Sequence, residues 1–188
     1  MRFTWKDLGC KKFTKNQAKF ILHDAANIRV FRINGGGRLT GGSGKDSDLR
    51  IQVNGHTNYY NCCGILTDPP KDMITDGGGM WLPMNKWACS GDASFEYLLS
   101  YQKIGSIDEI RDLNAVVGSG SLQLRNLRIP SPRRDVEILN WTAHGFRRIP
   151  DSTGIQKLII QVTNGTFEGE VRLQGYIPTR PNRRRKMR

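Results

Sequence analysis

Four runs, LQLRNLRI (122–129), VEILN (136–140), IQKLIIQV (155–162) and TFEGEVRLQGY (166–176), decide the fold class of this chain. Within most of these runs apolar and polar residues alternate, and Gly, Pro, Asn or Ser separates one run from the next. This period of two is typical of half-buried antiparallel strands. Asn164-Gly165, between the last two runs, predicts a tight hairpin. The alternation places six side chains in the core: Leu124, Leu158, Ile160, Phe167, Val171 and Leu173.

The rest of the chain extends the same pattern. Residues 28–33 and 95–102 alternate and are predicted to be strands, whereas residues 14–26 could form a short helix whose apolar side includes Phe13 and Phe20. Residues 34–45 predict a glycine-rich loop. A phosphate-binding loop would require Gly at 39 and Ser or Thr at 46, where Leu39 and Asp46 stand. Residues 104–113 fit either a short helix or a strand. The expected fold is an all-β, antiparallel, jelly-roll-like sandwich.

Two short motifs resemble a jelly-roll module of tailed-phage virion proteins. Residues 165–176, GTFEGEVRLQGY, look like the module's last hairpin, which usually closes on Leu-Tyr-Gly, with Gln174 standing in place of the Tyr. Residues 49–56, LRIQVNGH, are similar to its strand that ends in Asn-Gly-Asp, with His56 in place of the Asp. The resemblance spans roughly Asp48 to Tyr176. It implies a building role in a capsid decoration, tail or baseplate protein, with no catalytic residues to transfer.

Positive charge is concentrated at the two ends of the chain. The net charge of the 188 residues is +12. Residues 1–24 hold six Lys or Arg against two Asp, and residues 180–188 hold six with no acid, so that residues 25–179 are almost neutral. Basic ends favour an acidic partner such as nucleic acid, an acidic protein face or an anionic membrane, although such runs are often only solvated. The tail is rich in Arg, which suits phosphate and carboxylate groups.

This distribution suggests three parts: a basic N-terminal arm (1–27), a β-sandwich domain (28–178) and a basic extended C-terminal tail (179–188). We expect the arm to dock on its own body or on an adjacent subunit. We expect the tail to be extended, because Pro178 and Pro181 disfavour a helix at its start. Nine basic residues are the candidates for binding a partner: Lys11, Lys12, Lys15, Arg180, Arg183, Arg184, Arg185, Lys186 and Arg188.

An aromatic and sulfur-rich patch lies in the least regular part of the sequence. Trp81, Met84 and Trp87 stand among turn residues, where they could cover the domain's own core or form a contact surface. A monomer rarely exposes a large apolar patch, and the resemblance to the phage module also implies self-association, so we expect a homo-oligomer, with a trimer as the favoured state. The same tryptophans could instead stack on sugar rings, which leaves a carbohydrate- or receptor-binding module as an alternative.

No catalytic or metal-binding constellation is visible in the sequence. Zinc could be held by Cys10, His56, Cys62 and Cys89, but their spacing does not fit a structural site, and buried thiols or disulfides are alternatives. We therefore expect no cofactor and no enzymatic activity. No signal peptide or membrane-spanning stretch is visible, and no membrane partner is expected. The expected location is a virion assembled in the host cytoplasm, whose partners are other virion proteins. A coat protein whose tail contacts the genome is a variant of this hypothesis.

Overall fold

Twelve β-strands make up the fold. The computed structural model describes residues 2–23, 28–40, 47–57, 60–67, 70–77, 79–85, 90–103, 114–127, 137–149 and 154–179, and these residues contain no helix. The strands are β1 (Arg2–Lys12), β2 (Gln17–Ile21), β3 (Val30–Thr40), β4 (Ser47–Val53), β5 (Tyr60–Thr67), β6 (Pro70–Gly77), β7 (Met80–Asn85), β8 (Ser90–Lys103), β9 (Asn114–Leu127), β10 (Glu137–Ile149), β11 (Lys157–Val162) and β12 (Thr166–Thr179).

The strands form two antiparallel sheets. The large sheet has eight strands in the order β1-β12-β3-β8-β9-β10-β5-β6, and the small sheet has four in the order β2-β11-β4-β7. Buried side chains from both sheets belong to one hydrophobic cluster. The expected all-β, antiparallel class is therefore confirmed, and side chains from both sheets contribute to one hydrophobic core.

The pairing of the strands is nested. β1 pairs with β12 and β3 with β8 in the large sheet, while β2 pairs with β11 and β4 with β7 in the small sheet. The first strand of the chain thus pairs with the last, and the second pairs with the second from last. Two hairpin-like pairs, β5 with β6 and β9 with β10, lie outside this scheme and extend the large sheet beyond β8.

Asn16 forms hydrogen bonds where the chain passes between the sheets, from the β1–β12 pair of the large sheet to the β2–β11 pair of the small sheet. It sits between β1 and β2 and contacts the connection between β11 and β12. Its side-chain amide donates to the Gly165 carbonyl oxygen at 2.6 Å, and its side-chain oxygen accepts from the Phe167 amide at 3.0 Å. The Val162 amide donates to the Asn16 carbonyl oxygen at 2.9 Å. The connection between β1 and β2 is therefore hydrogen-bonded to the connection between β11 and β12 where both pass from one sheet to the other.

The predicted helix over residues 14–26 is wrong for its described part. Lys15 and Asn16 have φ values of 50° and 61°, and Thr14 and Gln17 exchange two backbone hydrogen bonds across them, as in a type I′ turn. The next residues form β2, in which Ala18 and Phe20 are buried and their neighbours are exposed. Pairing with β11 and burial of alternate residues outweigh the high helix propensity of Gln, Ala and Lys.

The hairpin predicted at Asn164-Gly165 is also wrong in its pairing. Gly165 has a φ of 80°, so the residue makes the sharp turn that its sequence indicates. However, β11 belongs to the small sheet and β12 to the large one, and neither pairs with the other. The turn carries the chain across the core instead of closing a two-stranded ribbon.

The glycine-rich segment is strand, not loop, through residue 40. β3 includes Gly35, Gly36 and Gly37 and pairs on both sides, with β12 and with β8. A Cβ at Gly35 would lie 2.9 Å from both a Phe95 ring carbon and the Glu170 carbonyl oxygen. The aromatic ring and the adjoining backbone therefore occupy the space that a side chain would need. The glycines permit close packing inside the sheet.

Most of the predicted core is confirmed. Leu158, Ile160, Val171 and Leu173 are completely buried, and Phe167 is almost so. The side chain of Leu124 lies outside what the structure describes, and its backbone is in β9. The predicted strands at residues 28–33 and 95–102 correspond to β3 and β8, while residues 104–113 lie outside the described ranges.

Asn54 is expected to be a sensitive position for stability. Its φ is 55°, its side-chain oxygen accepts from the Gln156 and Lys157 amides at 2.8 and 3.1 Å, and its side-chain amide donates to the Gly154 carbonyl oxygen at 2.9 Å. We expect Asn54→Ala to lower the free energy of unfolding by about 2–4 kcal/mol in urea titrations, because three hydrogen bonds of about 0.5–1.5 kcal/mol each are lost.

Asn54→Gly is the matched control for the backbone. Glycine loses the same side-chain bonds but accepts a positive φ without strain, so it should be less destabilising than alanine by about 1 kcal/mol. Equal losses in the two variants would contradict the assigned conformation of residue 54.

Candidate interaction surfaces

Three aromatic rings meet on the outer face of the large sheet. On β12 the buried residues Val171 and Leu173 face the core. Tyr176 lies three residues after Leu173, an odd number, so its side chain is on the opposite, outer face of the strand. The register of β1 against β12 sets Trp5 opposite Tyr176 and Phe3 opposite Pro178. The Phe3 and Tyr176 rings stack at 5.2 Å with a 17° interplanar angle, and the Trp5 and Tyr176 centroids are 5.0 Å apart. We call Phe3, Trp5 and Tyr176 the aromatic patch.

Arg32 fixes one side of the aromatic patch. It projects from β3, and its guanidinium carbon lies 4.4 Å from the centroid of the Trp5 ring. Its Nε is 3.2 Å from a carboxylate oxygen of Glu96 on β8. A cation over an indole ring contributes about 0.5–1 kcal/mol at an exposed site. The contact holds a positive charge beside the rings and limits the motion of Trp5.

The patch is open to solvent. Phe3 is 49% exposed and Tyr176 is 36% exposed, which is unusual for large apolar side chains grouped on one face. Leu98 and Val117, each 37% exposed, lie farther across the same face on β8 and β9. Single exposed apolar residues are common, but a stacked group of aromatic residues with an arginine has the composition of binding surfaces.

The rest of this face carries charges of both signs. Asp7 approaches Arg172 to 3.8 Å, and its carboxylate accepts from the Gly9 amide at 3.0 Å. Farther from the patch, Glu168 and Glu170 stand opposite Arg38 and Lys12, respectively, in the strand registers. Asp7, Glu168 and Glu170 are therefore each next to a basic residue, whereas the aromatic patch is an exposed apolar part of the face.

The free edge of the large sheet at β1 is poorly suited to pairing with another strand. A β-bulge interrupts β1 between Asp7 and Gly9, where Gly9 has a φ of 124°. Lys6, Lys11 and Lys12 are exposed along the same strand. Bulges and lysines are the usual means by which edge strands avoid edge-to-edge association. Contacts with a partner at this side are therefore expected through the face of the sheet.

The predicted basic residues fall into two groups. Lys11 and Lys12 end β1, and Lys15 lies in the following turn, so that these three exposed residues sit near one another at the corner between the sheets. The other six candidates, Arg180, Arg183, Arg184, Arg185, Lys186 and Arg188, lie outside the described residues. The segment predicted to be a basic N-terminal arm (1–27), docked on its own body or on an adjacent subunit, supplies β1 to the large sheet and β2 to the small sheet of its own chain.

Trp81 and Met84 lie in β7, an edge strand of the small sheet, and Trp87 lies outside the described residues. In the register of β4 and β7, Trp81 stands opposite Arg50. Arg50 in turn forms an ion pair with Asp48 at 3.2 Å. The grouping of these aromatic residues with Trp87 therefore stays a prediction, as does the glycan-binding alternative.

The aromatic patch was not found from the sequence. Phe3 and Trp5 are separated from Tyr176 by almost the whole chain, and the N-terminal residues were interpreted through their charge. The alternation of Phe3 and Trp5 around Thr4 was the available signal, because it is the spacing of one face of a strand. Only the register of β1 against β12 brings the three rings together.

Within the described ranges no group of three or more His, Cys, Asp or Glu residues could hold a metal ion. Cys10 is exposed on β1 and unbridged, and Cys89 lies outside those ranges. The same part of the chain has no helix long and apolar enough to cross a membrane.

Comparison with protein-family models gives no match, and comparison with curated proteins gives none either.

Proposed function

We propose that this chain is a non-enzymatic structural protein of a virus particle, built as a jelly-roll β-sandwich that associates with copies of itself and with other particle proteins. One observation carries the proposal, and it is the nested pairing of β1 with β12, β2 with β11, β3 with β8 and β4 with β7. Without the two additional hairpins, eight strands remain in two four-stranded layers.

This nesting is the winding expected of a jelly roll. A long antiparallel ribbon in which strand one pairs with eight, two with seven, three with six and four with five gives two Greek keys when it is folded over a core. The layers then have the orders 1-8-3-6 and 2-7-4-5, which correspond to β1-β12-β3-β8 and β2-β11-β4-β7. Viral shell subunits and lectins are well-represented users of this architecture.

The distribution of charge favours the particle role over the lectin role. The body is almost neutral, whereas residues 180–188 hold six basic residues and no acid. A terminal basic segment is suited to clamping an acidic neighbour, either another particle protein or the packaged genome. A sugar-binding module has no need of it. The genome is the second candidate partner, because Arg suits phosphate groups.

Oligomerisation is the first test of the proposal. We expect a homo-oligomer, with a trimer of the 21.3 kDa chain as the basic unit, because a shell subunit must present surfaces that are complementary to those of its neighbours. Light scattering coupled to size-exclusion chromatography measures the mass directly. A strict monomer at high protein concentration would count against self-association.

A further inference from the structure

We propose that the outer face of the large sheet docks on the same face of a second copy of this chain, across a two-fold axis. This inference rests on the proposed self-association and names a surface for it. The contact is distinct from the three-fold contact of the proposed trimer, because a two-fold axis places one surface against itself and joins single chains or trimers in pairs.

An apolar band crosses five strands of this face. The strand registers place one residue of each strand in a single row, which runs in order through Trp5, Tyr176, Val30, Ser100 and Val117. Only Ser100 in this row is polar. Phe3 and Leu98 lie two positions along their strands from Trp5 and Ser100, and therefore on the same face. The apolar band consists of Phe3, Trp5, Val30, Leu98, Val117 and Tyr176.

The apolar band holds most of the exposed large hydrophobic side chains in the described part of the chain. Of the five that are exposed there, four belong to the band: Phe3, Leu98, Val117 and Tyr176. The fifth, Ile21, lies on β2 in the small sheet. Arg32 holds Trp5 from one side, with its guanidinium carbon 4.4 Å from the ring centroid. Aromatic rings and arginine are the residue types that concentrate binding energy in protein interfaces.

The charges on this face balance, although the whole chain has a net charge of +12. Nine charged residues of β1, β12, β3 and β8 have described side chains on the outer side: Asp7, Lys12, Arg32, Arg38, Asp92, Glu96, Glu168, Glu170 and Arg172. Five are acidic and four are basic, a net charge of −1. Lys6 and Lys11 point to the other side of β1, because side chains alternate along a strand. Two such faces can therefore meet without the net repulsion that acts between two basic surfaces.

The charged residues form a mixed rim beside the apolar band. Arg32 pairs with Glu96 at 3.2 Å, and Arg38 stands between Glu168 and Asp92 in the registers of β3 with β12 and β8. A face on which both signs alternate allows a copy of itself to present opposite charges, whereas a uniformly basic face does not. An apolar centre with a polar, charged rim is the usual arrangement of a protein interface.

The face is large enough for a specific contact. Five strands about 4.8 Å apart are about 19 Å wide, and β12 extends about 33 Å from Glu168 to Pro178. The projected area is therefore about 600 Å², or about 1,200 Å² for two copies, which is the lower end of the range for standard protein–protein interfaces. The bulge and the lysines of β1 hinder association through the edge of the sheet and leave its face available.

Analytical ultracentrifugation of the full-length chain over a range of concentrations tests the contact. At high concentration we expect a mass that corresponds to an even number of 21.3 kDa chains. Val117→Lys should weaken the pairing at least about tenfold, because each copy then buries an unpaired ammonium group. Ile21→Lys adds the same charge to the exposed face of the small sheet and should leave the pairing unchanged.

A second pair of variants tests the aromatic part of the band. Tyr176→Ala should also weaken the pairing at least about tenfold, because a two-fold contact loses the ring from both copies. Tyr176→Phe keeps the ring and should associate like the original chain. Circular dichroism and thermal melting establish that each variant is folded, so that a loss of pairing is assigned to the face.

Hydroxyl-radical footprinting locates the contact in the original chain. In samples concentrated enough to pair, Phe3, Trp5 and Tyr176 should be oxidised more slowly than in dilute samples, because the second copy shields their rings. Ile21 should react at the same rate in both. Equal oxidation of the rings in both samples, together with a larger mass in the concentrated one, would overturn the proposed contact.

Loss of this contact and loss of self-association give different results. If the original chain associates and folded Val117→Lys and Tyr176→Ala keep its mass, the contact is overturned and self-association belongs to another surface. Rings shielded equally at every concentration would also overturn it, because a segment of the same chain would then cover the band. A strict monomer at every concentration would contradict both the contact and the proposed self-association.

Discussion

Leu158→Ala should lower the free energy of unfolding by about 2–5 kcal/mol, the range typical of large-to-small substitutions in a well-packed core. Leu158 is completely buried in β11, between β2 and β4 in the small sheet, and belongs to the cluster that both sheets share. The cavity left by the missing methyl groups cannot be refilled easily, because the paired strands β2 and β4 on both sides fix the backbone of β11. Urea unfolding followed by circular dichroism measures the loss.

Ile159→Ala is the matched control for this prediction. Ile159 is the next residue of the same strand, so its side chain points to the opposite face of the sheet, and it is only partly buried. We expect it to cost clearly less than Leu158→Ala. A near-zero effect of Leu158→Ala, or a larger effect of Ile159→Ala, would mean that the face or the register of β11 is different. The register matters because a shift of one residue would exchange the two faces.

Gly37→Ala should also be strongly destabilising, by about 3 kcal/mol, the upper end of the usual cost of overpacking. A Cβ at Gly37 would lie 2.5 Å from the Gly169 Cα and 2.9 Å from the Glu168 carbonyl carbon, both of which are backbone atoms of β12. Backbone inside a paired sheet cannot yield without breaking its register, and overpacking of this kind usually costs 1–3 kcal/mol. Thermal unfolding provides the comparison with the original chain.

Gly36→Ala separates close packing from the general loss of a glycine. The nearest atom to a Cβ at Gly36 is the Ala93 carbonyl oxygen at 3.0 Å, and the next is at 3.8 Å, so a small shift suffices. We expect a smaller loss of stability than at Gly37. If alanine were tolerated equally at both positions, the segment would behave like the loop that the sequence suggests and not like a central strand.

Alternation in the sequence predicted the strands well because it reports directly on one buried face. β11 and β12 nearly coincide with alternating or apolar runs, whereas β8 and β10 overlap such runs and extend beyond them, and five of the six predicted core side chains are buried. Alternation says nothing about which strands pair. The Asn164-Gly165 turn was read as a local hairpin because local pairing is the simplest use of such a turn, whereas β11 and β12 find better partners in β2, β4, β1 and β3.

The errors near the N-terminus share a physical cause. In residues 17–21 the helix-forming Gln, Ala and Lys precede two strand-forming residues, so local propensity does not decide the structure, and the glycines of β3 disfavour a strand. Both segments become strands because neighbouring strands offer backbone groups to pair with and apolar faces to cover. Such effects depend on residues more than a hundred positions away. The sequence does not reveal the aromatic patch for the same reason, because its three rings come together only when β1 pairs with β12.

The proposed role joins the fold to the two unusual surface features. The proposed jelly roll rests on the nested pairing of the strands. The β1 edge carries a bulge and exposed lysines, and the outer face of the large sheet holds an open aromatic patch. A subunit of this design would contact its neighbours through its faces and not through the β1 edge.

Electron microscopy of the purified full-length chain tests the particle role most directly. Negatively stained samples should be imaged at high protein concentration, both alone and after addition of single-stranded nucleic acid. The account predicts uniform closed shells or symmetric oligomers of the trimeric unit under at least one of these conditions. Uniform monomers under both conditions, from protein that is folded and rich in β-structure, would contradict it.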